Sequence, residues 1–171
     1  MTDECKNLDP TAFGLFFVAL VSLPIAIFCF LGYADVKNDI GLYLGDLLKI
    51  ASVFIFVAAI AAYRANSNFG FAVFGMVALG VYFAGADGGD LYINLTLGLM
   101  YLVGLVWSFR AGNPKALTLI LLTTALIFIF GGLAVDGSDA FLLLKGIAAL
   151  ANFILNLYLA FALADGKIPV F

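Results

Sequence analysis

Apolar residues run in six blocks, at 11–33, 41–63, 69–86, 91–109, 116–135 and 140–163, each closed off by a short polar break. A helix that spans a bilayer needs about 20 mostly apolar residues, so each block is a candidate span. Backbone in lipid must satisfy its own hydrogen bonds, which leaves helices and closed barrels as the only spanning structures. Barrel strands alternate apolar and polar over about ten residues, and stretches such as Ala51 to Ala62 and Ala116 to Leu133 do not alternate. The pattern predicts an all-α integral membrane protein. Six transmembrane helices form one bundle, and residues 1–171 form a single domain.

The breaks have a pattern of their own. Helices one, three and five open on Leu8-Asp9-Pro10-Thr11, Asn66-Ser67-Asn68-Phe69 and Gly112-Asn113-Pro114-Lys115. Each places an Asn, Asp or Ser before an apolar run, as a helix N-cap requires, and two add Pro at the first helical position. The even helices begin after Asp39, Asp90 and Asp139. This organisation reads as three helical hairpins capped alike, although the need of any helix for a cap explains each opening singly.

Composition agrees with the blocks: 65% of residues are hydrophobic and 11% charged, with mean hydropathy +1.16. Soluble domains average roughly 45–50% apolar and about 25% charged. A net charge of −3 excludes a nucleic-acid partner, which needs a basic face. The first block is too long for a signal-peptide core and follows acidic residues, so it is expected to be retained. Cys5 and Cys29 lie in different settings, tail and helix, and are not expected to pair.

With six spans both ends share one side. That side carries Lys6, Arg64, Arg110, Lys115 and Lys167. The opposite loops hold Lys37, with Lys49 and Lys145 inside helices, together with Asp35, Asp39, Asp46, Asp87, Asp90, Asp136 and Asp139. Lys and Arg gather on the cytoplasmic side, so both termini are expected in the cytoplasm, with the chain in the cell membrane. Histidine is absent, which removes His-ligated haem, the usual zinc sites and Ser-His catalysis. No phosphate-binding loop or carboxylate dyad appears. No enzymatic activity, metal or cofactor is expected.

Polar groups at membrane depth are costly and mark sites or packing contacts. Lys145, Asn152 and Asn156 are seven and four residues apart, so they share a narrow stripe of helix six. That stripe faces protein or water, either bridging helices or lining a pore. Asp46 and Lys49, spaced i, i+3, read as an interfacial ion pair or a solute gate. Thr118, Thr123 and Thr124 can bond back to their own helix. Asn94-Leu95-Thr96 matches a glycosylation sequon but lies within a span. Pro24 is placed to kink helix one, and the glycines, 18 in all, permit close helix contact. Trp107 and Phe109 beside Arg110 fit an interfacial anchor.

Four ordered segments resemble the acetate uptake transporter family, which includes the succinate–acetate permeases. Asp9-Pro10-Thr11-Ala12-Phe13-Gly14-Leu15 is similar to the family's Asn-Pro-Ala-Pro-Leu-Gly-Leu signature, keeping Pro10, Gly14 and Leu15. Tyr63-Arg64-Ala65-Asn66-Ser67-Asn68-Phe69-Gly70 is similar to its Asn-Thr-Phe-Gly turn into helix three. Lys115-Ala116-Leu117, and Lys145-Gly146-Ile147-Ala148 through Tyr158-Leu159-Ala160, resemble its helices five and six. The resemblance implies a homo-hexamer in membrane lipid, each protomer holding a narrow pore for acetate and related short carboxylic acids. It implies a constriction at Val18, with Phe17 adjacent, and at Val77 and Thr124, where the family has larger apolar side chains. The substrate path implied is Pro10, Gly14, Phe17, Val18, Phe69, Val77 and Thr124, joined by Asn152 and Asn156 of the amide stripe. Smaller residues at the constriction imply a wider or differently shaped gate, and Asp9 for the signature Asn opposes anion attraction. Two other classes stay open: a pore for a neutral solute such as urea, an amide or ammonia, and a membrane protein without transport activity.

Overall fold

The computed structural model describes residues 10–36, 39–87, 90–135, 137–165 and 167–171, apart from the side chains of Leu42 and Asp87. Cys5, Lys6, Asp9, Lys37 and Asp136 lie outside the described residues. The chain forms α1 (Pro10–Tyr33), α2 (Ile40–Arg64), α3 (Asn68–Asp87), α4 (Leu91–Arg110), α5 (Lys115–Leu133) and α6 (Asp139–Asp165). All six are long and apolar enough to cross a membrane. This is a multi-pass membrane protein.

The helix ends follow from local chemistry. After α1, α2 and α4 the chain turns through Asp35, Asn66 and Gly112 at φ 51°, 59° and 68°. Beyond each, a backbone N–H returns to the helix: Val36 to the Leu31 carbonyl, Ser67 to Ala62 and Asn113 to Ser108. These are Schellman turns, which satisfy carbonyls a helix end leaves open. The next helix then starts at once. Ser67 Oγ accepts from Gly70 N–H at 3.1 Å, and Asp90 Oδ1 accepts from Ile93 N–H at 2.7 Å, both N-cap bonds. Pro10 opens α1, whereas Pro114 occupies the cap of α5 and Asn113 stands one residue before it. Asp39 makes no side-chain cap bond.

The helices pack in sequence order around a circuit that is thin between α3 and α4. Extensive contacts join α1 to α2, α2 to α3, α4 to α5, α5 to α6, and α6 back to α1. The hairpin partners α1–α2 and α5–α6 pack firmly, but α3 and α4 touch only thinly, so the chain does not divide into three equivalent hairpins. The reason is where the small residues lie. At Gly45 and Gly85 the α2 and α3 backbones approach so closely that a Cβ on Gly85 would stand 2.6 Å from the Gly45 carbonyl oxygen. Gly98 brings α4 against α5 in the same way, 2.5 Å from Ile129 Cγ1.

The core runs the length of the bundle through Leu15, Val21, Ile55, Phe74, Tyr101, Leu121 and Leu159. Outward faces are apolar as well: Ile50, Val53, Phe56 and Ile60 on α2 and Leu99, Val103, Val106 and Phe109 on α4 are exposed. One end of the bundle carries Arg64, Arg110, Lys115 and Lys167, the other Asp35, Asp39, Asp90 and Asp139; these are the basic and acidic ends below. At the basic end residues 167–171 fold back, with Phe171 oxygen accepting from Ala116 N–H at 3.0 Å and Pro169 oxygen accepting from the Tyr158 hydroxyl.

Candidate functional site

Two cavities lie end to end inside the circuit. One, of about 330 Å³, reaches toward the acidic end and takes residues from all six helices, including Ser22, Gly45, Gly85, Asn94, Lys145 and Asn152. The other, of about 220 Å³, reaches toward the basic end between α1, α3, α4, α5 and α6, and includes Ser67, Phe69, Tyr101, Asn113 and Asn156. Among the described residues, the side chains common to both are Val18, Val77 and Thr124. Their exposures are 5%, 5% and 6%, so all three are buried at the junction.

A polar network ties the helices at this level. Asn152 Nδ2 faces Thr123 Oγ1 and Thr124 Oγ1, each at 2.8 Å, and the Ile120 carbonyl at 3.2 Å. Two amide hydrogens serve three acceptors, so one bond is shared. Asn152 Oδ1 accepts from Ser22 Oγ at 2.9 Å and from Asn156 Nδ2 at 2.8 Å. One amide thus joins α1, α5 and α6. The two hydroxyls that Asn152 meets on α5 donate back within their helix, Thr124 to the Ile120 carbonyl at 2.7 Å and Thr123 to Ile120 at 3.0 Å.

Asn156 differs from Asn152. Its Nδ2 donates to both the carbonyl and the side-chain oxygen of Asn152, each at 2.8 Å. That fixes the amide, because a flipped group would set oxygen against two acceptors. Its Oδ1 is consequently directed away and has no partner. Tyr101 Oη and Asn113 Nδ2 are likewise buried without a hydrogen-bond partner. All three residues line the cavity toward the basic end.

Comparison with protein-family models, with curated proteins and with solved structures finds no match.

Of the residues singled out from sequence, Val18, Val77 and Thr124 meet at the junction, Phe69 and Asn156 line the basic-end cavity, and Asn152 lines the other. Phe17 and Val18 are neighbours on α1 and cannot share a direction: Phe17 stacks on Phe54 of α2, centroids 4.7 Å apart, and lines neither cavity. Gly14 serves packing, since a Cβ there would lie 2.5 Å from the Phe74 ring. Pro10 starts α1 and borders neither cavity.

Asn94 is buried, with Nδ2 donating to the Asp90 carbonyl at 2.9 Å, a setting no glycosylation site has. Asp46 and Lys49 form an ion pair at 3.9 Å with 79% and 42% of the side chains exposed, which makes it a surface pair of little energetic weight. Ser22 carries no sequence signal, whereas Tyr101 does: Asn94, Tyr101 and Ser108 recur seven residues apart and fall on the buried face of α4. Among the described residues no three His, Cys, Asp or Glu side chains group as a metal site.

Proposed function

We propose that this chain conducts acetate and related short-chain carboxylic acids through its paired cavities, in the cell membrane with both termini cytoplasmic, as a homo-hexamer. The observation that carries the reading is the pair of cavities, reaching opposite ends of the bundle and meeting at Val18, Val77 and Thr124. Two valines and a threonine whose hydroxyl is already engaged form a short apolar neck. Such a neck excludes hydrated ions by dewetting. Lys145 in the acidic-end cavity supplies a positive charge where an anion would be received.

The exposed apolar faces of α2 and α4 offer the surface a closed ring would cover. Excess Lys and Arg at the end where α1 begins and α6 finishes supports the orientation. The test is flux of labelled acetate and of labelled urea into vesicles carrying purified protein, against empty vesicles. Acetate entry above the empty control supports the proposal. Urea entry alone would make the chain a neutral-solute pore, and entry of neither would remove transport.

A further inference from the structure

We propose that Tyr101 and Asn156 form a binding site for the undissociated form of a short carboxylic acid in the basic-end cavity, with Asn113 further toward that cavity's outer end. This rests on the carboxylic-acid reading above and adds where the acid is held and in which protonation state.

Buried polar side-chain atoms in folded proteins nearly always find partners, and each one that does not requires a reason. Here the described residues contain three, and all three line one cavity of about 220 Å³. Tyr101 and Asn156 are both 0% exposed. Their complement is specific. Asn156 Oδ1 is held as an acceptor by the two bonds its Nδ2 makes. Asn113 Nδ2, a donor, stands about 10 Å nearer the basic end by helical rise, and the Tyr101 hydroxyl gives or takes a hydrogen bond. A ligand that meets Asn156 and Tyr101 together must donate once and can accept once. An undissociated carboxyl does both through its O–H and C=O. A carboxylate only accepts, and would confront Asn156 Oδ1 with a second oxygen.

Charge points the same way. Tyr101 is the single titratable side chain among the described residues lining this cavity, and no Lys or Arg lines it. Lys145 faces the other cavity, beyond the neck. An anion at this depth would be desolvated without a counter-ion, which is costly. The neutral acid avoids that cost, and its small apolar remainder suits Val73, Leu121 and Leu159 around it.

Undissociated acids cross bare lipid, so equilibrium binding is the readout. Full-length protein in lipid nanodiscs is titrated with labelled acetic acid by ligand-observed NMR, against empty nanodiscs, at several pH values. Expected is a dissociation constant that stays fixed when written in undissociated acid and rises steadily with pH when written in total acetate. Tyr101→Phe keeps the ring stacked on Phe128, 5.6 Å between centroids, and removes only the hydroxyl. It should weaken binding about fivefold, the worth of one neutral hydrogen bond, with thermal stability equal to or above the parent because the lost group has no partner. Asn156→Leu should weaken it at least as much.

A constant that stays fixed in the anion would overturn the protonation state. Parent affinity in both variants, each folded, would overturn the site. Acetamide binding where acetic acid does not would assign the cavity to amides instead. Vesicle flux separates this site from the wider reading: binding with no flux removes conduction and keeps the site, and flux with unchanged variant binding does the reverse.

Discussion

Replacing Asn152 with leucine isolates the network that joins α1, α5 and α6. Leucine shares asparagine's branched four-atom skeleton, with two bulkier methyl groups in place of the amide oxygen and nitrogen, so the change removes the polar contacts and keeps the branching. Four hydrogen bonds go: two from Nδ2 toward the α5 threonines and Ile120, one accepted from Ser22 and one from Asn156. Interhelical hydrogen bonds in membranes average about 0.6 kcal/mol, which puts the sum at about 2–3 kcal/mol. Orphaned partners would raise that figure, but none is created. Ser22 keeps the Val18 carbonyl at 2.7 Å, Thr124 keeps Ile120, and Asn156 keeps the backbone carbonyl of residue 152.

Reversible unfolding in mixed detergent micelles, followed by circular dichroism against rising dodecyl sulfate, measures the difference. Asn156→Leu is the comparison, because it gives up bonds to one residue only and should cost about 1 kcal/mol. Equal stability of Asn152→Leu and the parent would mean the network does not form in the membrane. A loss beyond about 4 kcal/mol would mean that removing the amide breaks helix packing, not hydrogen bonds alone.

Four further outcomes are expected. Gly85→Val drives a branched side chain into the Gly45 carbonyl and Leu48 Cβ, and should cost about 1–3 kcal/mol in the same unfolding assay, while Gly75→Ala, with nothing within 4 Å, should be neutral. Val18→Trp should obstruct acetate flux with assembly intact, and Val77→Ala should admit larger acids; unchanged flux in folded Val18→Trp and Val77→Trp proteins would move the conduit elsewhere, the central axis of the oligomer first. In a background with Cys5 and Cys29 replaced, a cysteine at Asp35 should react with an impermeant maleimide from outside and one at Ala111 only after permeabilisation; the reverse would invert the orientation. The mass of the particle in mild detergent should be that of a hexamer, and a conducting monomer would show the ring to be dispensable.

The six helices were legible because lipid imposes a length and a composition on each span, and both are visible in one sequence. Asn152 and Asn156 were legible for a related reason: amides are rare at that depth, and their i, i+4 spacing on α6 sets them on one face. The difference between them was not legible. Which amide bridges helices and which leaves an oxygen over depends on Thr123, Thr124 and Ser22 arriving from two other helices. Phe17 and Val18 could not be told apart on α1, where nearly every position is apolar and periodicity carries no direction. Tyr101 stayed hidden because tyrosines in apolar blocks ordinarily sit at the interface with the ring tip in water, although its seven-residue spacing from Asn94 and Ser108 sets it on the buried face of α4. The thin α3–α4 contact was hidden too, since glycines at 45, 85 and 98 signal close approach without naming the partner helix.

Thr124 shows how a polar residue can serve an apolar neck. In water its hydroxyl would be a donor and an acceptor for any solute in passage. Here the proton is committed to the Ile120 carbonyl and a lone pair to Asn152 Nδ2. What remains uncommitted is chiefly the methyl group, in a residue that lines the junction together with Val18 and Val77. The junction is therefore aliphatic in effect, and the amide that makes it so stands on α6, to one side. Polar capacity is displaced to either side of the neck: a cation in the acidic-end cavity and an uncharged set of unpaired groups in the other. A hydrated ion crossing it would lose its shell at three aliphatic side chains with nothing to replace it. On the proposed reading a small acid would give up far less, because uptake of a proton would neutralise its charge, and because the free oxygen of Asn156 would stand on the far side to receive its hydroxyl.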